Sequence, residues 1–326
     1  MELKKTGLSA EEIVNAYKMV LLGRRLDERL WQLTRIGKTS FNISGQGAEV
    51  GQVAMAMAFD REKDYFLPYY RDMSAVMAWG TTTKEILMGS FGKADDPASH
   101  GRQMPNHYGD KKNRVVSHSS TVSTQFPVAT GVAYGALLGD EDYVTLVTTG
   151  EGSANQGEVH EAMNFAGVKK LPMVFAIENN GYAISVGQNE QYSVEKMADR
   201  GAAYGMPGIR VDGNDFAATY LAFKKAADRA RKLEGPSLIE VMVERLTSHS
   251  SDDDQSVYRS KEELEEMKKH DPLTTFQKQL IKEGYMTQAD MDALEKEMKD
   301  MINQATDEAE AMPDPTPESI NDNVWA

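Results

Sequence analysis

Alternation of strand-like and helix-like segments through the middle of the chain narrows its fold more than any other feature. Tyr143 to Thr149 (YVTLVTT) is β-branched and bounded by Gly139-Asp140 and Gly150, which predicts a strand. Gln156 to Gly167 carries Val159, Ala162, Met163 and Ala166 at helical spacing. Pro172 opens a second strand, Met173 to Ile177, which ends at Glu178-Asn179-Asn180-Gly181. Ile209 to Val211 predicts a third, closed by Asp212-Gly213-Asn214. Asp215 then caps a helix with Phe216, Tyr220, Phe223 and Ala227, and Ser237 to Glu244 (SLIEVMVE) follows Pro236 as another strand. Strand and helix in alternation predict an α/β fold, a mostly parallel sheet flanked by helices. Ligands of such sheets sit at the carboxyl ends of strands, where the Gly150 and Asn179 segments both lie.

The flanks read as helical. Ser9 and Glu12 have capping-box spacing, and Ile13, Tyr17, Val20, Leu21, Leu26, Leu30 and Leu33 extend a helix that Gly37 stops. From Lys261 the chain is Lys/Glu-rich and helical, with Asp271-Pro272 and Gly284 as punctuation, and Ala311 to Ala326 forms an acidic tail with three prolines. The expected organisation is an α/β domain over residues 1–260, including the N-terminal helix, and a helical C-terminal extension over 261–326. The net charge of −14, from 36 Lys+Arg against 50 Asp+Glu, argues against nucleic acid or an anionic membrane as a partner. The chain contains no Cys, which excludes a disulfide scaffold, a thiolate metal site and a catalytic cysteine. No targeting segment or long apolar span is apparent, so a cytoplasmic protein is expected.

The chemistry concentrates between Gly150 and Asn180. Gly150-Glu151-Gly152 follows one predicted strand, and Asn179-Asn180 ends the next after 26 intervening residues. Glycines allow backbone to approach a bulky anion closely. A carboxylate and an Asn side chain supply hard oxygen ligands, and Mg²⁺ takes a few of these from protein and the rest from phosphate and water. Two strand ends about 30 residues apart therefore suit a clamp for a Mg²⁺–diphosphate. This pairing resembles the signature of thiamine diphosphate enzymes. With Gln156-Gly157-Glu158, Glu161-Ala162-Met163-Asn164-Phe165-Ala166 and Leu171-Pro172, it resembles the α subunit of the decarboxylating (first) component of 2-oxo acid dehydrogenase complexes. The resemblance runs from about residue 15 into the tail, and it implies the thiamine diphosphate-binding fold.

The resemblance also implies roles. Glu151, Asn180 and the backbone carbonyl of Tyr182 match the Mg²⁺ ligands, and Tyr70 and Arg71 match the segment that binds the diphosphate. Arg suits that task as a permanent, bidentate cation. Ser120 and Val122 match residues lining the aminopyrimidine end, and Gly150, Gly152, Ser153 and Ile184 complete the cofactor-binding set. Ser119, Thr121, Thr124 and Gln125 match a K⁺-binding loop of the branched-chain group; a hydrogen-bonded hydroxyl loop is the alternative. His249 lies in a Ser/Asp-rich loop after a strand, and the matching His contacts the cofactor and assists acyl transfer to lipoamide. Ser250 matches a serine phosphorylated in mammalian relatives; only the position carries over. Gly101-Arg102-Gln103-Met104-Pro105 and His107-Tyr108-Gly109 favour the branched-chain group. Two departures count against it: Glu178 stands where that group often has Arg, and Ser248 where it has a second His.

In such enzymes the cofactor carries the hard chemistry and the protein orients it. Two-chain members take the glutamate that activates the cofactor from a β subunit; Glu49 is the candidate within this chain, with a structural role the stronger expectation. The implied assembly is an α₂β₂ heterotetramer that hands its acyl group to a lipoyl-bearing acyltransferase core, with a 2-oxo acid as substrate. Alternatives are a pyruvate or acetoin dehydrogenase α subunit and a non-catalytic assembly subunit. A nicotinamide-dependent dehydrogenase is disfavoured, because Gly150-Glu151-Gly152-Ser153-Ala154-Asn155 lacks the third glycine of a dinucleotide turn.

Overall fold

Met173 to Asn179 is buried along its whole length, and five of its seven residues are apolar in an unbroken run. Such a run belongs to a strand covered by helices on both faces. The computed structural model, which describes residues 1–322, shows this arrangement. In chain order it has α1 (Ala10–Arg35), α2 (Glu49–Ala56), β1 (Tyr65–Leu67), α3 (Met73–Trp79), α4 (Thr83–Phe91), α5 (Gln125–Gly139) and β2 (Thr145–Gly150). Next come α6 (Gly157–Lys169), β3 (Met173–Asn179), β4 (Tyr182–Ala183), β5 (Val186–Gly187), β6 (Gly208–Asp212), α7 (Phe216–Arg231) and β7 (Ser237–Met242). Three helices follow, α8 (Lys261–Lys269), α9 (Pro272–Lys282) and α10 (Gln288–Glu310). Residues 323–326, the end of the predicted tail, lie outside the described residues.

Five strands form one parallel sheet in the order β1-β2-β3-β7-β6, and β4 and β5 make a separate antiparallel hairpin. Alternate residues of β3 face opposite cores, as the two-residue period of a strand requires. Val174 and Ala176 pack with α1, α2, α3 and α7, whereas Met173, Phe175 and Ile177 pack against α5 and α6. The predicted strands and helices recur within a few residues. β7 ends at Met242 rather than Glu244: the Val243 amide makes the last bond to β3, at the Asn179 carbonyl, and the Glu244 amide turns out of the sheet to the Gly47 carbonyl. β1 escaped prediction because three residues carry no readable alternation.

Local chemistry explains the helix starts. Both halves of the Ser9–Glu12 capping box form, at 3.2 and 2.7 Å. Asp271 caps α9 with Pro272 in its first turn, and Gly284 follows it with φ +78. The polar C-terminal helices are not freely solvated. Leu273, Phe276, Leu280, Met291, Leu294, Met298 and Ile302 are buried in the same core as α1. Among the described residues, no helix is long and apolar enough to cross a membrane.

One ion cluster pins this extension to the α/β layers. Arg24 on α1 is buried and pairs with Glu49 at the start of α2 and with Asp271 at 2.8 Å. Glu49 is therefore a structural carboxylate, as expected. Glu49→Ala leaves the Arg24 charge partly unpaired and is expected to destabilise the chain by about 3–5 kcal/mol. Urea unfolding checks this; a change below about 1 kcal/mol would remove Glu49 from the structural role.

Candidate active site

β2 and β3 pair in parallel with Gly150 opposite Glu178, so the segments that leave the sheet after them emerge side by side. Glu151 and Asn180 consequently meet: the Asn180 amide donates to the Glu151 carboxylate at 3.3 Å. Glu151 is buried, and burial raises its pKa against the opposing Asn180 amide and the Arg71 charge. The two asparagines differ. Asn179 is consumed by structure, donating to Glu240 at 2.8 Å and to the Tyr192 hydroxyl at 2.9 Å. Asn180 accepts only the Tyr182 amide, at 3.2 Å, and lines a cavity of about 270 Å³.

The β4–β5 hairpin closes one side of that cavity. Gly152 is required here by the protein itself, since a Cβ at this position would come within 2.4 Å of the Ala183 Cβ. Gly150 has no such crowding. The Tyr182 hydroxyl donates to Glu263 on α8 at 3.1 Å, its ring lies under Arg245 and Arg259, and the residue lines the cavity. Ile184 turns the hairpin at φ +55, and its carbonyl accepts from Arg245 at 2.9 Å. A β-branched residue at that φ is an outlier held by its surroundings.

Arg71 and His249 form the opposite wall. Arg71 is buried, donates to the Ser44 carbonyl, and reaches the His249 Nδ1 at 3.3 Å. Among the described residues no carboxylate pairs with it, so a full positive charge faces the cavity with only neutral acceptors around it. Buried charges are normally paired. An anion bound in this cavity would supply the missing partner. Because Arg71 can only donate, His249 must accept at Nδ1 and carry its proton on Nε2. Burial, Arg71 and Arg245 lower its pKa to about 4, so it is neutral near pH 7. Asp253 holds its loop by accepting the His249 amide at 2.7 Å.

A second cavity, of about 610 Å³, continues from the first; Tyr69, Tyr70, Val122 and Ser153 line both. Ser120 lies in this one and bonds His107 Nε2 at 2.7 Å. Ser119 and Gln125 also line it, whereas Thr121 and Thr124 line neither. The hydroxyls of that loop bond within it, Ser119 to Thr124 at 2.7 Å, and Gln125 donates to the Thr148 carbonyl at 2.8 Å. Phe41, Ile43 and His118 join the walls without having been singled out in the sequence, because they sit in loops with no periodicity. Glu178 lines neither cavity. It turns inward, accepts from Tyr69 at 3.1 Å and Gln52 at 3.0 Å, and faces Asp72, with burial raising both carboxyls. Its difference from arginine therefore places no anion at the cavity.

His249 is expected to stay neutral on titration down to about pH 5. Arg71→Gln is expected to move its midpoint upward, because one of the charges opposing imidazolium is gone. NMR of the imidazole nitrogens checks both, and a midpoint near the ordinary value of about 6.5 in the native chain contradicts the assignment.

Comparison with known proteins shows the family. A family model described as "Dehydrogenase E1 component" matches residues 17–318. The chain is 52% identical over 320 residues to the 2-oxoisovalerate dehydrogenase subunit alpha of Bacillus subtilis (strain 168), covering 98% of this chain and 97% of that one. The mitochondrial 2-oxoisovalerate dehydrogenase subunits alpha of Mus musculus and Homo sapiens are each 35% identical over 319 residues, 98% of this chain and 72% and 71% of theirs. With a buried, anion-seeking arginine set across a strand-end carboxylate and amide, and a match that spans nearly its full length, the chain belongs to the dehydrogenase E1 component family.

Proposed function

We propose that the chain is the α subunit of a branched-chain 2-oxo acid dehydrogenase decarboxylating component, acting on 3-methyl-2-oxobutanoate and related acids. The observation that carries the reading is Arg71, a buried cation without a carboxylate partner, facing Glu151 and Asn180 across one cavity. The family depends on thiamine diphosphate, and the donor set suits its diphosphate and a hard cation. Glu151, Asn180 and the Tyr182 carbonyl would hold Mg²⁺. Arg71 and Tyr70 would grip the diphosphate, with Gly150, Gly152, Ser153 and Ile184 shaping its bed and Ser120 and Val122 flanking the ring end. The cofactor, when bound, supplies the nucleophile and electron sink for loss of CO₂ from a 2-oxo acid.

This chain's own residues bind and orient. Arg71 is itself buried, so it would offset phosphate charge with little screening, where the attraction is strong. His249 keeps its proton on Nε2 and offers that N–H to the acyl group bound for lipoamide. Phe41, Ile43, Met104 and Val122 give the larger cavity the apolar walls a branched aliphatic chain needs. Ser119, Thr121, Thr124 and Gln125 are the candidate K⁺ loop. A β subunit would complete the site as α₂β₂, and a lipoyl-bearing acyltransferase core would accept the product. The β surface has a physical correlate: α5 and α6 expose Val128, Leu138, Phe165 and Val168, and α5 begins at Gln125, which lines the cavity. We read residues 1–260 as the cofactor-holding domain and 261–326 as its extension, and place the protein in the cytoplasm, whose reducing conditions suit thiol acceptors.

Reconstitution with its β subunit is expected to give CO₂ release from 3-methyl-2-oxobutanoate at least about tenfold faster than from pyruvate, and little from the chain alone. Faster release from pyruvate would transfer the assignment to a pyruvate-type enzyme. Glu151→Gln is expected to weaken Mg²⁺-dependent cofactor binding by about tenfold or more, read by isothermal titration.

A further inference from the structure

α1 packs against the core along most of its length, yet it carries a buried carboxylate with no cation paired to it among the described residues. Asp27 is 2% exposed, and every hydrogen bond it accepts comes from five consecutive residues. Its Oδ2 takes the Gly45 amide at 2.6 Å and the Ser44 hydroxyl at 3.0 Å. Its Oδ1 takes the side-chain amides of Asn42 at 3.3 Å and Gln46 at 3.5 Å. The far side of this loop touches the active site twice. The Ser44 carbonyl accepts from Arg71 Nη1. Asn42 exchanges hydrogen bonds with Ser251, its amide to the Ser251 hydroxyl at 3.1 Å and its carbonyl from the Ser251 amide at 2.9 Å. Ser251 is two residues from His249. The fit is tight: a Cβ on Gly45 would lie 2.8 Å from the Arg71 carbonyl.

We propose that Asp27 is a positioning residue for this site: by gathering the donors of residues 42–46 it seats the Ser44 carbonyl on Arg71 and Asn42 on the His249 loop. One carboxylate thus sets the orientation of both the cation and the imidazole without touching either. The inference rests on the function proposed above for those two side chains.

The charge state of Asp27 matters, because a carboxylate only accepts. A proton on Oδ1 would face two amide donors, and that half of the clasp would open. Burial raises the Asp27 carboxyl to about 6, with Glu49 adding a like charge and the Gly45 amide and Ser44 opposing. The charged and titratable groups around it are Glu49 on α2, itself paired with Arg24, then Arg71 beyond Ser44, and Tyr108. The neighbouring imidazoles His249 and His118 both titrate near 4, below this window. The sign is distinctive. A carboxyl raised by folding favours the folded state more as pH falls through about 6, so acidification loosens the loop without loss of global stability from this group.

Two measurements test this. In the cofactor-free native chain, amide exchange corrected for intrinsic rates is expected to show about tenfold less protection at Ser251, whose amide is held by Asn42, at about pH 5.5 than at about 7.5, with β3 unchanged. Equal protection at both pH values overturns the proposal. In the complex with its β subunit, Asp27→Asn is expected to bind thiamine diphosphate with Mg²⁺ about tenfold more weakly at about pH 7.5, the gap closing toward about pH 5.5 as the native carboxylate protonates. A gap constant with pH, the mark of a merely structural residue, or no gap at all, overturns it. Failure of the native complex to bind thiamine diphosphate at about pH 7.5 would instead overturn the functional reading, and the exchange experiment then decides the role of Asp27 alone.

Discussion

The register of β2 on β3 is the constraint on which the site depends. Gly150 pairs with Glu178 at the carboxyl ends of two parallel strands, and the chain has nowhere to go from either but into the same space. Glu151 and Asn180 touch for that reason alone. A slip of one residue would exchange the two cores, because side chains alternate along a strand. Val174 and Ala176 would then lose α1 and α7, and Phe175 would lose α5 and α6. Packing on both faces of the sheet thereby protects the geometry at its edge.

Electrostatics inside the site follow a single division. Carboxylates that are structural find donors or cations: Glu49 has Arg24, Glu240 has Arg210 and Asn179, and Asp27 has the loop 42–46. The Asp72–Glu178 pair turns inward, where burial favours its protonated form. Arg71 is left as the uncompensated charge at the cavity, and its field, added to burial, keeps His249 neutral. Leaving one cation with neutral acceptors alone prepares the position for a phosphate-bearing ligand and fixes which nitrogen of the imidazole carries the proton.

Much of the architecture was legible in advance. Strand and helix periods in residues 143–244 announce the parallel sheet, and turn residues mark its ends. Caps at Ser9 and Asp215 announce helix starts, because capping is a contact between near neighbours. The loops were not legible. Phe41, Ile43 and His118 have no period to betray a common wall, and the Asn42–Gln46 segment gives no hint that it wraps a carboxylate on α1. The burial of the last helices was not legible either: charged faces dominate their composition, yet their apolar stripes have a partner in α1.

By itself the sequence determined what is local or periodic: the α/β class, the residues at the two strand ends, and the chemical character of Glu151, Asn180, Arg71 and His249. Tertiary structure decided which of these meet and in what state. It brought Arg71 to His249 across 178 positions, denied the arginine a carboxylate, gave Glu49 to Arg24, and assigned Asn179 to structure and Asn180 to the cavity. The reason is physical. Propensity and capping act over a few residues, whereas burial and charge pairing depend on neighbours that only the packed chain supplies.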